Sequence, residues 1–326
     1  MRAIVHHVYG PPGELAVAEA PDPVPGAGQV LVRVHAASVN PADRFGVVGE
    51  PLVGRLSFGL RRPRQPIPGR DLAGRIVAVG PGARRLRVGD DVFGEALRAF
   101  AELAAVDEGR LAPMPAGATY EQAAAIPLAG TTALQGVRAC RLAAGQRLLV
   151  NGAAGGVGTF AVQLAREVGA EVTGVCSAAN ADLVRALGAT RAVAYDQEDA
   201  TAGDVRYDAI LDLVGNHPLG RLTGILAPRG TLVLASGGGG RWLGPIGRML
   251  AGTLRSTLGR QRVVPLVARQ TLADLEELAG LVAAGRIAPA VERVVELPEV
   301  PGAVARLASG HARGKTVVRI GRPADG

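Results

Sequence analysis

Between residues 30 and 36 the chain alternates: Val30, Val32, Val34 and Ala36 fall on one side, Leu31, Arg33 and His35 on the other. A period of two is the signature of a strand with one face in a core. Residues 75–79 and 91–93 are further strand-like runs. Turn formers separate them: Pro11-Pro12-Gly13, Pro21-Asp22-Pro23, Pro81-Gly82 and Val88-Gly89-Asp90. Short strands at this spacing predict a small barrel or sandwich in the first third of the chain.

Near residue 120 the pattern changes. Apolar runs at 147–150, 171–175, 192–195, 208–212 and 232–235 read as strands. Helical spacing lies between them, carried by Val157, Ala161 and Leu164, then Leu183, Val184 and Leu187, then Leu219, Leu222 and Leu226. Strand and helix in alternation predict right-handed βαβ units and a doubly wound parallel sheet. After a helix marked by Leu272, Leu275 and Val282, residues 291–297 and 316–320 return to strand, so the tail is expected to rejoin the first domain. The fold class is therefore α/β, with 1–122 and 286–326 as the first domain and 123–285 as the parallel-sheet domain.

Composition adjusts this picture only slightly. A length of 326 residues fits two domains, and 48% hydrophobic with 20% charged residues excludes disordered and fibrous classes. No apolar run reaches the ~18 residues of a membrane span, and the first residues lack the apolar core of an export signal. With two distant cysteines, Cys140 and Cys176, a reducing cytoplasm is the expected compartment. The net charge is +7, and Lys315 is the sole lysine among 36 basic residues. No basic stretch interleaves with aromatics, so neither nucleic acid nor membrane is expected as a partner.

The most informative segment follows the strand at 147–150: Asn151-Gly152-Ala153-Ala154-Gly155-Gly156-Val157-Gly158. Set against GxGxxG, Ala153, Gly155 and Gly158 take the three small-residue places. Such a turn bends sharply, lets the backbone approach a pyrophosphate, and packs the helix on the strand. The phosphates lie at the helix N-terminus, where the N–H groups of Gly156, Val157 and Gly158 are free. Strand before and helix after favour a dinucleotide site over a merely structural turn. The stretch Gly310 to Thr316 looks like a P-loop but is one residue short and precedes a strand, which excludes a triphosphate site. The second strand ends Val175-Cys176-Ser177-Ala178-Ala179-Asn180 without the acid that an NAD site places on the ribose. NADPH is therefore the expected cofactor. Ser177 and Asn180 are either donors to its 2′-phosphate or helix N-caps, and Tyr195 either lies against the adenosine or is a half-buried strand residue. Gly215, Ser236 and Gly237 follow later strands, at the carboxyl edge where ligands bind.

Several motifs in order resemble the zinc-independent medium-chain dehydrogenases/reductases, the quinone oxidoreductase relatives of alcohol dehydrogenase. They are residues 36–43 (AASVNPAD), 68–74 (PGRDLAG), 89–94 (GDDVFG), 126–133 (IPLAGTTA), the glycine turn, 212–215 (DLVG) and the ending 311–315 (HARGK). The resemblance spans nearly the whole chain. It implies a GroES-like barrel plus a Rossmann domain, with the active site in the cleft between them. Zinc-dependent relatives carry a cysteine where Asn40 stands and Gly-His-Glu where Gly69-Arg70-Asp71 stands, so no metal is expected.

What the resemblance implies is hydride transfer from NADPH to a small-molecule quinone or enone, which takes hydride without a Lewis acid because conjugation spreads the charge. Protein catalysis is then orientation and proximity. Asn40 is the catalytic candidate, bonding the acceptor carbonyl or the nicotinamide ribose, unless it only forms the turn before Pro41. Thr131 would contact the nicotinamide side or start a helix; Lys315 would reach a cofactor phosphate or lie in a solvated tail. Many relatives place a tyrosine where Phe45 stands, leaving water as the proton source. A homodimer is expected. A catalytically silent NADPH-binding protein is the alternative, as is a biosynthetic enzyme with a dedicated substrate. The arginines of 55–64 form either a solvated loop or an acidic-substrate funnel, and the glycines of 237–240 either a lid hinge or plain surface.

Overall fold

The computed structural model describes residues 1–236, 246–258, 260–310 and 312–321. Among them the strands, in chain order, are β1 (Arg2–Val5), β2 (Ala16–Glu19), β3 (Gln29–Val39), β4 (Asp71–Val79), β5 (Asp91–Glu95), β6 (Leu103–Asp107), β7 (Leu111–Pro113), β8 (Arg147–Asn151), β9 (Glu171–Cys176), β10 (Arg191–Ala194), β11 (Tyr207–Asp212), β12 (Leu226–Leu234), β13 (Arg262–Pro265), β14 (Val291–Glu296) and β15 (Lys315–Arg319). Contacts divide the chain into two compact units, Met1–Thr131 with Gln270–Gly326, and Thr132–Arg269.

In the first unit the alternating valines do what their period demands. Val30, Val32 and Val34 are fully buried on β3, which pairs antiparallel with β4, β6 and β15. The sheet order is β14-β15-β3-β4-β5-β7, so the C-terminal strands do rejoin the first domain. Ile4, Leu72, Ile76, Phe100, Leu111 and Val304 fill its core. The short β1–β2 pair was not apparent from the pattern.

In the second unit six parallel strands run in the order β10-β9-β8-β11-β12-β13. The chain winds one way from β8 and the other way from β11, which places the switch point between those two neighbours. Helix Gly156–Glu167 joins β8 to β9, and Ala181–Ala186 joins β9 to β10. Leu219 and Leu222 lie on helix Leu219–Gly224, but Leu226 opens β12, where it is buried in the sheet core. A leucine at helical spacing from its predecessors fits a buried strand equally well, hence the misreading.

Residues 123–131 and 270–285 pack with the first unit, not with the parallel sheet as the pattern suggested. Helix Leu272–Ala283 lies against β7 and buries Leu275 and Leu278. Helical periodicity marks an apolar face without saying which sheet it covers. No helix among the described residues is long and apolar enough to cross a membrane.

Candidate active site

The second unit holds the glycine turn at the carboxyl end of β8. Gly152 takes φ +88°, a conformation side chains rarely adopt, and its N–H and that of Ala153 donate to Val175 O at 3.1 and 2.9 Å. Gly155 is the residue before the helix, with extended ψ. A methyl on Gly158 would stand 2.1 Å from Gly152 O, so only glycine allows the helix this close to the turn. A methyl on Gly155, in contrast, would meet only Gly152 O at 3.5 Å, and φ there is −75°. Nothing in the folded chain requires a glycine at 155. The space it keeps open fits a group outside the chain. Gly156 and Val157 are half-exposed in the first helical turn, where N–H groups have no intrahelical acceptor. Open space before free N–H groups at the positive end of a helix is what an anionic group needs there.

Ala153 differs from its expected place in the motif. It is fully buried, and its methyl would crowd any methyl added to Gly174. Its side chain packs β9 against the turn, and Gly152 supplies the bend.

At the end of β9, Asn180 Nδ2 donates to Ser177 Oγ at 3.1 Å, and neither side chain caps a helix. Their polar atoms are half-exposed at the carboxyl edge. Tyr195 lies just beyond β10 and is 49% exposed, not within the strand. Sequence reasoning missed Asp196. The pairing of Ala194 with Cys176 carries it to the neighbouring strand end, where Oδ1 accepts from Ala178 N–H at 3.0 Å. The strand end that lacked an acid in sequence therefore has one in space.

Beside the turn, Asn151 Nδ2 donates to Asp212 Oδ1 and to Asn216 Oδ1, both at 2.8 Å. Gly215, at φ +77°, donates its N–H to the same Asp212 oxygen at 2.9 Å. Arg248, also unforeseen, donates to Asp212 Oδ2 at 2.8 Å and to His217 O at 2.7 Å. The helix Ile246–Leu258 that carries it has polar and apolar positions at helical spacing, but its ion pair spans 36 residues and leaves no local signal. Ser236 is half-exposed beyond β12. Gly237, and with it the glycine-rich segment through Leu243, lies outside the described residues, as does His311.

The first unit holds a buried polar cluster. β3 ends at Val39, and Asn40 follows, opening helix Pro41–Val48 with its N–H donated to Asp43 Oδ2 at 2.8 Å. Asn40 Nδ2 donates to Ser38 O at 3.1 Å and to Asp71 Oδ2 at 3.0 Å, while Oδ1 accepts from Lys315 Nζ. Asp71, at the start of β4, also accepts from Ser38 Oγ at 3.0 Å and Leu128 N–H at 3.2 Å, with Lys315 Nζ 3.8 Å away. All five side chains of this cluster, Ser38, Asn40, Asp43, Asp71 and Lys315, are buried.

Two expectations change here. The Asn40 amide is fully used inside the protein, so it is no free donor for an acceptor carbonyl but the piece that joins Lys315 to Asp71. Lys315 is neither in a solvated tail nor at the surface, because the pairing of Thr316 with Val39 draws its side chain inward. Burial pushes the Lys315 ammonium down, opposed by Asp71 and Asp43. Burial raises Asp71, against the pull of Lys315. Asp43 is raised to about 7, by burial and then by the Asp71 charge, and its Oδ1 has no partner among the described residues.

Thr131 is inside helix Pro127–Cys140 rather than at its start, and its buried hydroxyl has no partner among the described residues. Phe45 is exposed. Of the arginines in 55–64, Arg55 stacks on Tyr9 at 4.4 Å and donates to Gly49 O at 2.9 Å, a structural role. Among the described residues no three His, Cys, Asp or Glu side chains converge as a metal ion requires. Both cysteines are buried and unpaired, and burial pushes the Cys140 thiol up to about 12.

Two family models match the chain: alcohol dehydrogenase GroES-like domain over residues 26–133 and zinc-binding dehydrogenase over residues 187–318. The mouse mitochondrial NAD(P)H oxidoreductase RTN4IP1 is 32% identical over 330 residues, covering 90% of this chain and 82% of that protein. The trans-enoyl reductase pgmF of Aspergillus terreus is 31% identical over 329 residues, covering 90% and 87%. Escherichia coli quinone oxidoreductase, solved in complex with NADPH, superposes with a TM-score of 0.82 at 26% identity, covering 98% of this chain and 100% of that one. The chain is an oxidoreductase of the medium-chain dehydrogenase/reductase family and belongs to its quinone oxidoreductase-like group.

Proposed function

We propose that the protein reduces a quinone or an α,β-unsaturated carbonyl with NADPH, and does so without zinc. The observation that carries this reading is the cradle at Gly155: a helix N-terminus with room for a pyrophosphate that the chain itself does not fill. When bound, NADPH supplies the hydride. The amides of Gly156 and Val157 hold its pyrophosphate, with Gly158 keeping the helix close. Ser177 and Asn180 donate to the 2′-phosphate, and Tyr195 lies against the adenosine. Gly215 and Ser236 line the carboxyl edge beside Asn151, and the free hydroxyl of Thr131 serves the nicotinamide side. Lys315 acts through Asn40 and Asp71, fixing the end of β3, rather than by touching a phosphate.

A zinc site does not fit the residues present. Asn40 and Asp71 already surround the Lys315 ammonium, and Arg70 is paired with Glu95. A second cation there would face the Lys315 ammonium with only Asp43 Oδ1 unpartnered among the described atoms of the cluster, too few ligands for zinc. With no metal to polarise an alcohol, a conjugated acceptor is the substrate class the site suits, and the names of the quinone and enoyl reductase relatives favour the same choice.

The test is a panel of quinones and enones with NADPH as reductant. Oxidation of NADPH by at least one class supports the reading. Tight NADPH binding with no turnover on any member would favour a silent binding protein instead.

A further inference from the structure

The second unit contains a cavity of about 290 Å³ that the cofactor reading does not use. It lies at the amino edge of the parallel sheet. Arg147 opens β8 there, Asp208 is near the start of β11, and Thr231 pairs with Arg262, the first residue of β13. Along β8 this edge is about 13 Å from the glycine turn, at ~3.3 Å per residue. Arg141, Arg229 and Arg262 line it and, among the described residues, one acidic residue, Asp208. That carboxylate accepts the N–H of Arg147 at 2.8 Å. Among the described residues, none of the three guanidinium groups makes a hydrogen bond or ion pair, and Nη1 of Arg262 is buried without any partner.

Arg141 and Arg229 are exposed, so the cost of leaving the site empty falls on Arg262, which is half-buried. A buried, unpaired guanidinium nitrogen has lost its water and gained nothing. Arg141 adds a backbone cost, since it takes φ 54° directly after helix Pro127–Cys140, where glycine is the usual residue. A residue held in that conformation at a site is a pointer to a role for its side chain. The fork of an arginine matches the two oxygens of a phosphate or carboxylate.

We propose that this cavity binds a small oxyanion with at least two negative charges, a phosphate ester or a polycarboxylate, at a site separate from the cofactor turn. The proposal stands whatever acceptor the enzyme reduces.

The experiment titrates NADPH-saturated protein with inorganic phosphate and, separately, with citrate. Chloride holds the ionic strength constant. Calorimetry gives the affinity, and the melting temperature is followed in parallel. Bound NADPH keeps the probe anions off the glycine turn, and a titration without NADPH serves as the control. Saturable binding of either probe is expected, with the preference telling phosphate ester from polycarboxylate. Arg262→Met should weaken it roughly tenfold or more, as loss of a charge-assisted pair does. Should that variant fail to fold, Arg229→Met and Arg141→Gly give the same readout; glycine at 141 suits the backbone. Unchanged affinity in the variants that fold would overturn the proposal. So would a melting temperature no higher in phosphate or citrate than in chloride of the same ionic strength. Self-association that Arg262→Met abolishes, with no dependence on phosphate or citrate, would also overturn it, since a second copy would then be the true occupant.

Discussion

Two glycines three residues apart separate what the fold needs from what the ligand needs. A Cβ at Gly158 meets backbone at 2.1 Å, whereas one at Gly155 meets nothing closer than 3.5 Å. Gly158→Ala is therefore expected to destabilise the second unit by about 1–3 kcal/mol, typical of forced overpacking. Gly155→Ala should keep the wild-type melting temperature yet lose roughly tenfold or more in NADPH affinity, because its methyl occupies the pyrophosphate's space. Calorimetric melting and binding on both variants decide this. The motif was legible in the sequence because its chemistry is local; that Ala153 packs and Gly152 bends was not, since both depend on where β9 lies.

Asp43 makes a second prediction at this scale. Its carboxyl is raised to about 7 in the fold, whereas an unfolded carboxyl titrates near 4. Between these values the folded protein binds more protons than the unfolded chain, so stability falls as pH rises from about 4 to about 7. The facing charges are Asp71, which adds to the effect, and Lys315 and Arg70, which oppose it. Melting temperatures measured from pH 5 to 8 should fall in the wild type. Asp43→Asn can still accept the Asn40 N–H and should flatten that fall. Parallel curves for the two proteins would contradict the assignment.

Among elements, the pairing of β9 with β10 changes the cofactor argument. In the sequence the second strand ends at Ser177 and Asn180 without an acid. The parallel register brings Asp196 from the third strand to Ala178 N–H. A carboxylate near a 2′-phosphate disfavours it, so the preference for NADPH over NADH should be moderate. Asp196→Asn is expected to raise NADPH affinity severalfold and leave NADH affinity nearly unchanged. Calorimetry with both cofactors checks it, and equal gains for both would show that Asp196 lies away from the 2′ position. The same kind of long-range pairing hid Lys315: its five-residue strand was foreseen, but its antiparallel register on β3 was not. Period-two and helical patterns reveal which residues are buried, not which strand end meets which.

For the whole molecule, the two-domain organisation and the parallel sheet were readable because each rests on a repeated local pattern. The unit boundaries were not, since helix Leu272–Ala283 shows an apolar face without naming its partner. The positive balance likewise has no single reading. Many arginines are engaged in surface pairs, such as Arg75 with Asp91 and Arg221 with Asp199, while Arg141, Arg229 and Arg262 make no ion pair among the described residues. The central claim is hydride transfer from NADPH to a conjugated acceptor. Its most direct test is isotope transfer with NADPH carrying deuterium at C4 of the nicotinamide ring, each face labelled in turn. With an enone that turns over, one of the two labelled forms should deliver deuterium to the β-carbon of the product. Product without deuterium from either form, or NADPH bound and never oxidised, would contradict the account.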